Sequence, residues 1–230
     1  MKITTGSGFS PPSEGDKVME KINGETSVKQ DSATASITLI MGAEQSRDFS
    51  PILQHGFGMT ALVPCTVGDL LCDQFGLSRE YVSERITTIF LDGKTTDSID
   101  EAMVRDHSTI ALSAAMPGVV GATLRRGSYY SAMRSAITCT DTGKTGACRE
   151  GLVFVKLFNL LLPELGPEFM KNGIFLTPSE LLNFFLQEPD SFWAGCGEAL
   201  INGKPVVPTS LLYSEAFANC EFIKLSIAIT

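Results

Sequence analysis

The chain has no stretch approaching the roughly 18 consecutive apolar residues that a membrane-spanning helix needs. Its opening stretch, MKITTGSGFSPPSEGDK, lacks the apolar core of a secretory signal. These absences predict a cytoplasmic protein with no membrane partner. Histidine is scarce: His55 and His107 are the only two, and both sit in polar surroundings that read as surface. The six cysteines (Cys65, Cys72, Cys139, Cys148, Cys196 and Cys220) include no CxxC pair, so neither a zinc ribbon nor a thioredoxin-type motif is present. Most of them read as small buried hydrophobes. Cys139 and Cys148 flank a polar loop and are the one candidate redox or metal pairing. Positive charge is in deficit, with 18 Lys and Arg against 26 Asp and Glu and a net charge of −8. That balance argues against nucleic acid as a partner, because phosphate neutralisation needs a basic field.

What the chain does contain is material for a core, with 43% hydrophobic residues, and an internal echo. FLDGKTT at 90–96 and LINGKPV at 200–206 are each an apolar run ending in Asx-Gly-Lys, the favoured two-residue hairpin turn. Before the first lies TVGDLLCDQFG (66–76) and before the second TPSELLNFFLQ (177–187). Both begin with a Thr-x-x-Asp/Glu capping box that starts a helix, and Pro178 occupies the first helical position, where a missing N–H costs nothing. Upstream, FSPILQHG (49–56) pairs with LGPEFMKNG (165–173) as a short proline-led turn, and each follows a strand-like run, SITLIM (36–41) or LVFVKLF (152–158). Downstream, IALSAAM (110–116) pairs with IKLSIAI (223–229). Five anchors in the same order predict a duplication, with small drifts in spacing absorbed by surface loops.

The repeated unit of hairpin strands, one helix and returning strands predicts an α+β protein made of two tandem β-grasp (ubiquitin-like) units. The expected domains are a mobile N-terminal tail over 1–33, a first unit over 34–118, a Gly/Arg-rich insert and linker over 119–149, and a second unit over 150–230. Over residues 58–118 the first copy resembles the small sulfur-carrier proteins of thiamin and molybdopterin biosynthesis, through TVGDLL at 66–71, LDGK at 91–94 and IALSAAMPG at 110–118. In that family the last strand runs into a free terminal Gly-Gly whose carboxylate is adenylated and thiolated. Here the chain continues past Gly118, so the resemblance implies carrier chemistry only after cleavage there. The helical stripes Val67, Leu70, Leu71 and Phe75, and Leu181, Leu182 and Phe185, read as core. Trp193 reads as a packing anchor.

The insert PGVVGATLRRGSYYSAMRSAIT (117–138) is the unusual segment. Between 118 and 149, Arg125, Arg126, Arg134, Lys144 and Arg149 face one acid, Asp141, a local excess of positive charge in an acidic chain. Gly118 and Gly121 allow close backbone approach, paired arginines bind carboxylate or phosphate in a bidentate way, and Tyr129 offers a stacking face. Arg125, Arg126, Arg134, Gly118, Gly121 and Tyr129 are therefore the candidate ligand-binding residues. The competing reading has the arginines pair with acidic groups and cement a surface between the two units. Sharper motifs fail: GKT at 143–145 lacks the glycine a phosphate-binding loop needs at 138, which is Thr138, and GFGMTA at 56–61 lacks the strand-turn-helix setting of a dinucleotide fingerprint.

No catalytic residue, metal ligand or cofactor is assigned. The leading expectation is a non-catalytic binding or scaffold protein whose sheet face or edge meets a protein partner or a small anionic ligand, with strand edges that suit a homodimer. The alternatives are an enzyme or cofactor-handling protein with an anionic ligand at Arg125 and Arg126, and a processed sulfur carrier.

Overall fold

The computed structural model describes residues 34–114, 118–127, 147–213, 217 and 219–229. In chain order the elements are β1 (Ala35–Met41), a 3-10 segment (Ala43–Phe49), α1 (Ser50–His55), β2 (Phe57–Val63), β3 (Cys65–Thr66), a π-helical segment (Asp69–Gln74), α2 (Arg79–Glu84), β4 (Thr88–Leu91), β5 (Lys94–Thr95), β6 (Met103–Val104), β7 (Thr109–Ser113) and α3 (Gly118–Leu124). They continue with β8 (Arg149–Phe158), α4 (Leu161–Asn172), β9 (Ile174–Leu176), α5 (Pro178–Gln187), α6 (Asp190–Gly195), β10 (Cys196–Ile201), β11 (Lys204–Val206), a 3-10 segment (Pro208–Tyr213) and β12 (Ile223–Ile229). The molecule is α+β: ten strands form one mixed sheet in the order β11-β10-β1-β12-β9-β2-β8-β7-β4-β5, and β3 pairs with β6 apart from it. None of the described helices is long and apolar enough to cross a membrane.

Period-two alternation sets the two faces of the sheet. On β1, Ile37, Leu39 and Met41 are buried while Ser36, Thr38 and Ile40 are half-buried, and on β8 Val153, Val155 and Leu157 are fully buried between Phe154, Lys156 and Phe158. The buried set packs against helices. Phe57 of β2 meets Phe169 of α4 at 5.3 Å, and Phe49, Phe184, Phe185, Phe192 and Trp193 form an aromatic cluster where the first 3-10 segment, α5 and α6 converge. Each fully buried large side chain contributes about 1.5–3 kcal/mol. The opposite face carries no helix among the described residues. Gly58 lies on that face, where a β-carbon would come within 3.0 Å of both Leu152 Cδ1 and Phe175 Cβ, so glycine lets these side chains close over β2.

The expected caps are in place. Asp69 N–H donates to Thr66 Oγ1 at 3.0 Å while Thr66 N–H donates to Asp69 Oδ2 at 3.1 Å, and Thr177 with Glu180 makes the same reciprocal pair at the start of α5. The proline-led turns are instead helices: Pro51 lies in the first turn of α1, and Pro167 sits inside the twelve-residue α4. Leu182, expected in the core, is 41% exposed because the inward stripe of α5 is Leu181, Phe184 and Phe185. The expected N-terminal tail, 1–33, lies outside the described residues. Tyr81 on α2 and Arg85 just beyond it both hold Glu164 of α4; the tyrosine hydroxyl donates at 2.7 Å, and the Arg85 guanidinium keeps the Glu164 carboxyl below its usual range.

Strands from before and after residue 145 alternate in the sheet. β1 lies between β10 and β12, and β8 lies between β2 and β7. Both Asx-Gly turns adopt positive φ, 49° and 78° at Asp92 and Gly93, and 50° and 76° at Asn202 and Gly203. Each Asx then clamps the strand beside its hairpin: Asp92 bonds the main chain of Thr109 through its own N–H (2.8 Å) and Oδ1 (2.7 Å), and Asn202 bonds Ser36 through its N–H (2.8 Å) and Oδ1 (2.8 Å). The strand beside the second hairpin is thus β1. The expected pairing of 110–116 with 223–229 puts β12 at that position, but β12 lies one strand further in.

Candidate functional site

The Gly/Arg segment begins as α3. Gly118 opens it exposed, with φ +78°, and Gly121 is buried within it. Arg125, just past the helix, is exposed. Arg126 turns inward. Its Nη2 donates to the carbonyls of Val82 and of Ile86 (2.7 Å), and its main-chain N–H donates to Thr87 O at 2.8 Å. The guanidinium therefore caps the carboxy end of α2, where a cation is favoured, and burial lowers its pKa. Tyr129, Arg134 and Cys139 lie outside the described residues. Of the six candidate ligand-binding residues, the structure buries Gly121, half-buries Arg126 and leaves Gly118 and Arg125 at the surface.

A cleft of about 540 Å³ lies on the helix-free face over β4, β7 and β8. Phe90, Ala111 and Phe158 supply apolar walls, with Thr109, Ser113, Lys156 and Asn159 among them. Asn159, held at φ +56° where β8 gives way to α4, donates from Nδ2 to Ser113 Oγ at 3.0 Å. Lys156 is the charged member. Its aliphatic stem runs over Gly56, 3.1 Å from where a β-carbon there would stand, and its ammonium has no hydrogen bond or ion pair among the described residues. Along the same face His107 (φ +62°) tilts against Phe154 at 6.2 Å, Phe222 lies 6.3 Å from Phe154, and Lys224 stands 6.0 Å above Phe175. One signal in the sequence pointed to Lys156: it interrupts the otherwise apolar run LVFVKLF on the alternation that faces away from the helices.

Near this face Ser108 Oγ donates to Asp92 Oδ2 at 3.0 Å and His107 Nε2 is 3.8 Å from Asp106 Oδ1, and among the described residues no serine or cysteine hydrogen-bonds a histidine. Both histidines are exposed. Among the described residues no group of three or more His, Cys, Asp or Glu side chains is placed to hold a metal ion. No disulfide joins two of the described cysteines, and exposed Cys148 places its Sγ 3.5 Å from Pro64 O. No family model matches the chain, and neither the curated proteins nor the solved structures give a match.

Proposed function

We propose that this chain is a non-catalytic binding protein whose cleft over β4, β7 and β8 takes a small anionic ligand with an apolar body. The observation that carries the reading is Lys156: a cation without an anionic partner among the described residues, lining the same cleft as Phe90 and Phe158 in a chain of net charge −8. An ammonium flanked by aromatic walls suits a carboxylate, sulfonate or phosphate joined to a hydrocarbon or aryl group, since the charge-assisted hydrogen bond contributes about 1.5–3 kcal/mol and the walls take the apolar part. The anionic dye 8-anilinonaphthalene-1-sulfonate is a direct probe. Lys156→Ala is expected to weaken its binding about tenfold, equivalent to about 1.4 kcal/mol, while Lys156→Arg and Lys224→Ala leave it within twofold. Equal affinity for Lys156→Ala and the parent would reject the site.

The insert fits a scaffolding role in this reading, because Arg126 spends its donors on helix carbonyls. The strand order supports a finer description of the fold as two β-grasp-like halves that each borrow one strand across the middle of the chain. An experimental structure in which the two sets of five strands fail to superpose would remove that description. A cytoplasmic setting, where thiols are kept reduced, is part of this reading; oxidised cysteine pairs in protein isolated from its native source would argue against it.

A further inference from the structure

A second cleft, of about 590 Å³, lies between the first 3-10 segment, α1 and the start of α4. That volume falls within the range of about 300–1,000 Å³ in which proteins hold small ligands. Its floor is apolar and closed. Leu53 is 2% and Leu162 9% exposed, and Gly166 lets α4 approach α1, since a β-carbon there would stand 2.7 Å from Leu53 Cδ1.

The two walls differ in chemistry. On one, Ser50, Leu53 and Gln54 are spaced three and four residues apart and share a face of α1. Ser50 pins the 3-10 segment to that face, because its main-chain N–H and its Oγ (2.7 Å) both donate to Arg47 O. The Arg47 guanidinium and the Gln54 carboxamide are exposed and make no hydrogen bond or ion pair among the described residues. No acidic side chain among the described residues lines the cleft. The other wall is formed by two prolines one helical turn apart, Pro163 and Pro167 of α4. A residue at 167 ordinarily donates its N–H to the carbonyl at 163. Proline has no N–H, so the Pro163 carbonyl lacks its helical donor and remains an acceptor in a residue that lines the cleft.

A guanidinium takes a carboxylate in a bidentate way, a carboxamide both donates and accepts, and a lone carbonyl accepts. Together with an apolar floor, these groups match one end of an amino acid whose nitrogen is acylated. We infer that this cleft binds an apolar amino acid with a free α-carboxylate and an acylated nitrogen, as the last residue of a peptide or as a free N-acylamino acid. Its carboxylate pairs with Arg47, its acyl carbonyl accepts from the Gln54 carboxamide, its amide N–H donates to Pro163 O, and its side chain lies on Leu53 and Leu162. Asn159 lines both this cleft and the Lys156 cleft, with its Nδ2 committed to Ser113. The Arg47 site uses none of the other cleft's donors and does not rest on that reading.

The test is isothermal titration of the full chain with acetyl-Gly-Gly-Leu bearing a free carboxylate, with the same peptide as its terminal amide, and with N-acetyl-leucine. Saturable binding is expected from a carboxylate probe, and the tighter of the two identifies the source as peptide or free acylamino acid. Amidation of the peptide, or Arg47→Ala, is expected to weaken binding at least tenfold, equivalent to about 1.4 kcal/mol. Gln54→Ala is expected to weaken it about threefold, the loss of one neutral hydrogen bond. Lys171→Ala, which removes an exposed cation from the last turn of α4, should leave it within twofold. Arg47 is exposed, and unchanged thermal melting of Arg47→Ala checks that the fold survives. Binding of neither carboxylate probe, equal affinity for the amidated peptide, or a loss in Arg47→Ala no greater than in Lys171→Ala would each overturn the inference.

Discussion

From its two edges inward, the sheet repeats one scheme. β5, β4, β7, β8 and β2 on one side, and β11, β10, β1, β12 and β9 on the other, are joined by antiparallel, antiparallel, parallel and antiparallel pairings in that order. An Asx-Gly hairpin closes each edge and grips the third strand by the same two hydrogen bonds, to Thr109 or to Ser36. The halves differ in where the third and fourth strands come from. On one side β7 is local and β8 arrives from the far part of the chain; on the other β12 is local and β1 comes from the start. They differ also in the fifth strand, seven residues in β2 and three in β9. Equivalent positions are filled by non-equivalent chain segments, so neither half can close its sheet alone.

This comparison breaks most readily through the fourth strands. Leu157 and Leu225 are fully buried, and Leu157→Ala or Leu225→Ala is expected to cost about 2–5 kcal/mol. Because each half holds a strand of the other, both variants should shift a single urea transition seen by fluorescence and by circular dichroism; two separable transitions would show that the halves fold independently. The turns sharpen the comparison. Asn202→Ala should cost about 1 kcal/mol through the lost bond to Ser36. Asp92→Ala should cost more, since Asp92 also accepts from Ser108. Equal midpoint shifts in urea would mean that the Ser108 contact adds nothing.

The smallest effect concerns pH. Burial, aided by the nearby Asp69 carboxylate, pushes the Cys65 thiol from its ordinary 9.0 up to about 11, and burial also raises Cys196 in the other half. A folded pKa above the unfolded one means that the unfolded chain loses its proton first, so this contribution is whole below pH 9 and fades toward 11. Cys65→Ala should flatten the loss of stability across that window. A parent and variant with parallel profiles from pH 9 to 11 would contradict it.

Much of the local structure was legible. The capping boxes at Thr66 and Thr177, the two Asx-Gly turns and the strands at 36–41 and 152–158 depend on side chains within a few residues of one another, and all formed where expected. The proline segments were misjudged because Pro51 and Pro167 are tolerated in helices held down by the packing of Leu53, Phe169 and Met170, which local propensity does not include. The arginines drew attention by their charge, yet Arg126 answers a need for helix-capping donors that exists only once α2 and the loop after α3 meet. Lys156 gave a fainter signal and lines a cleft of about 540 Å³.

The amino-acid order by itself determined which residues start helices, where the hairpins turn and which side of each strand is apolar, since these follow from contacts and periodicities within one element. Only the folded chain decided which strands lie side by side. An alternating strand records its inward face but not its neighbour, and β7 and β12 have similar enough patterns to occupy different positions. The exchange of β1 and β8 is a consequence of that freedom.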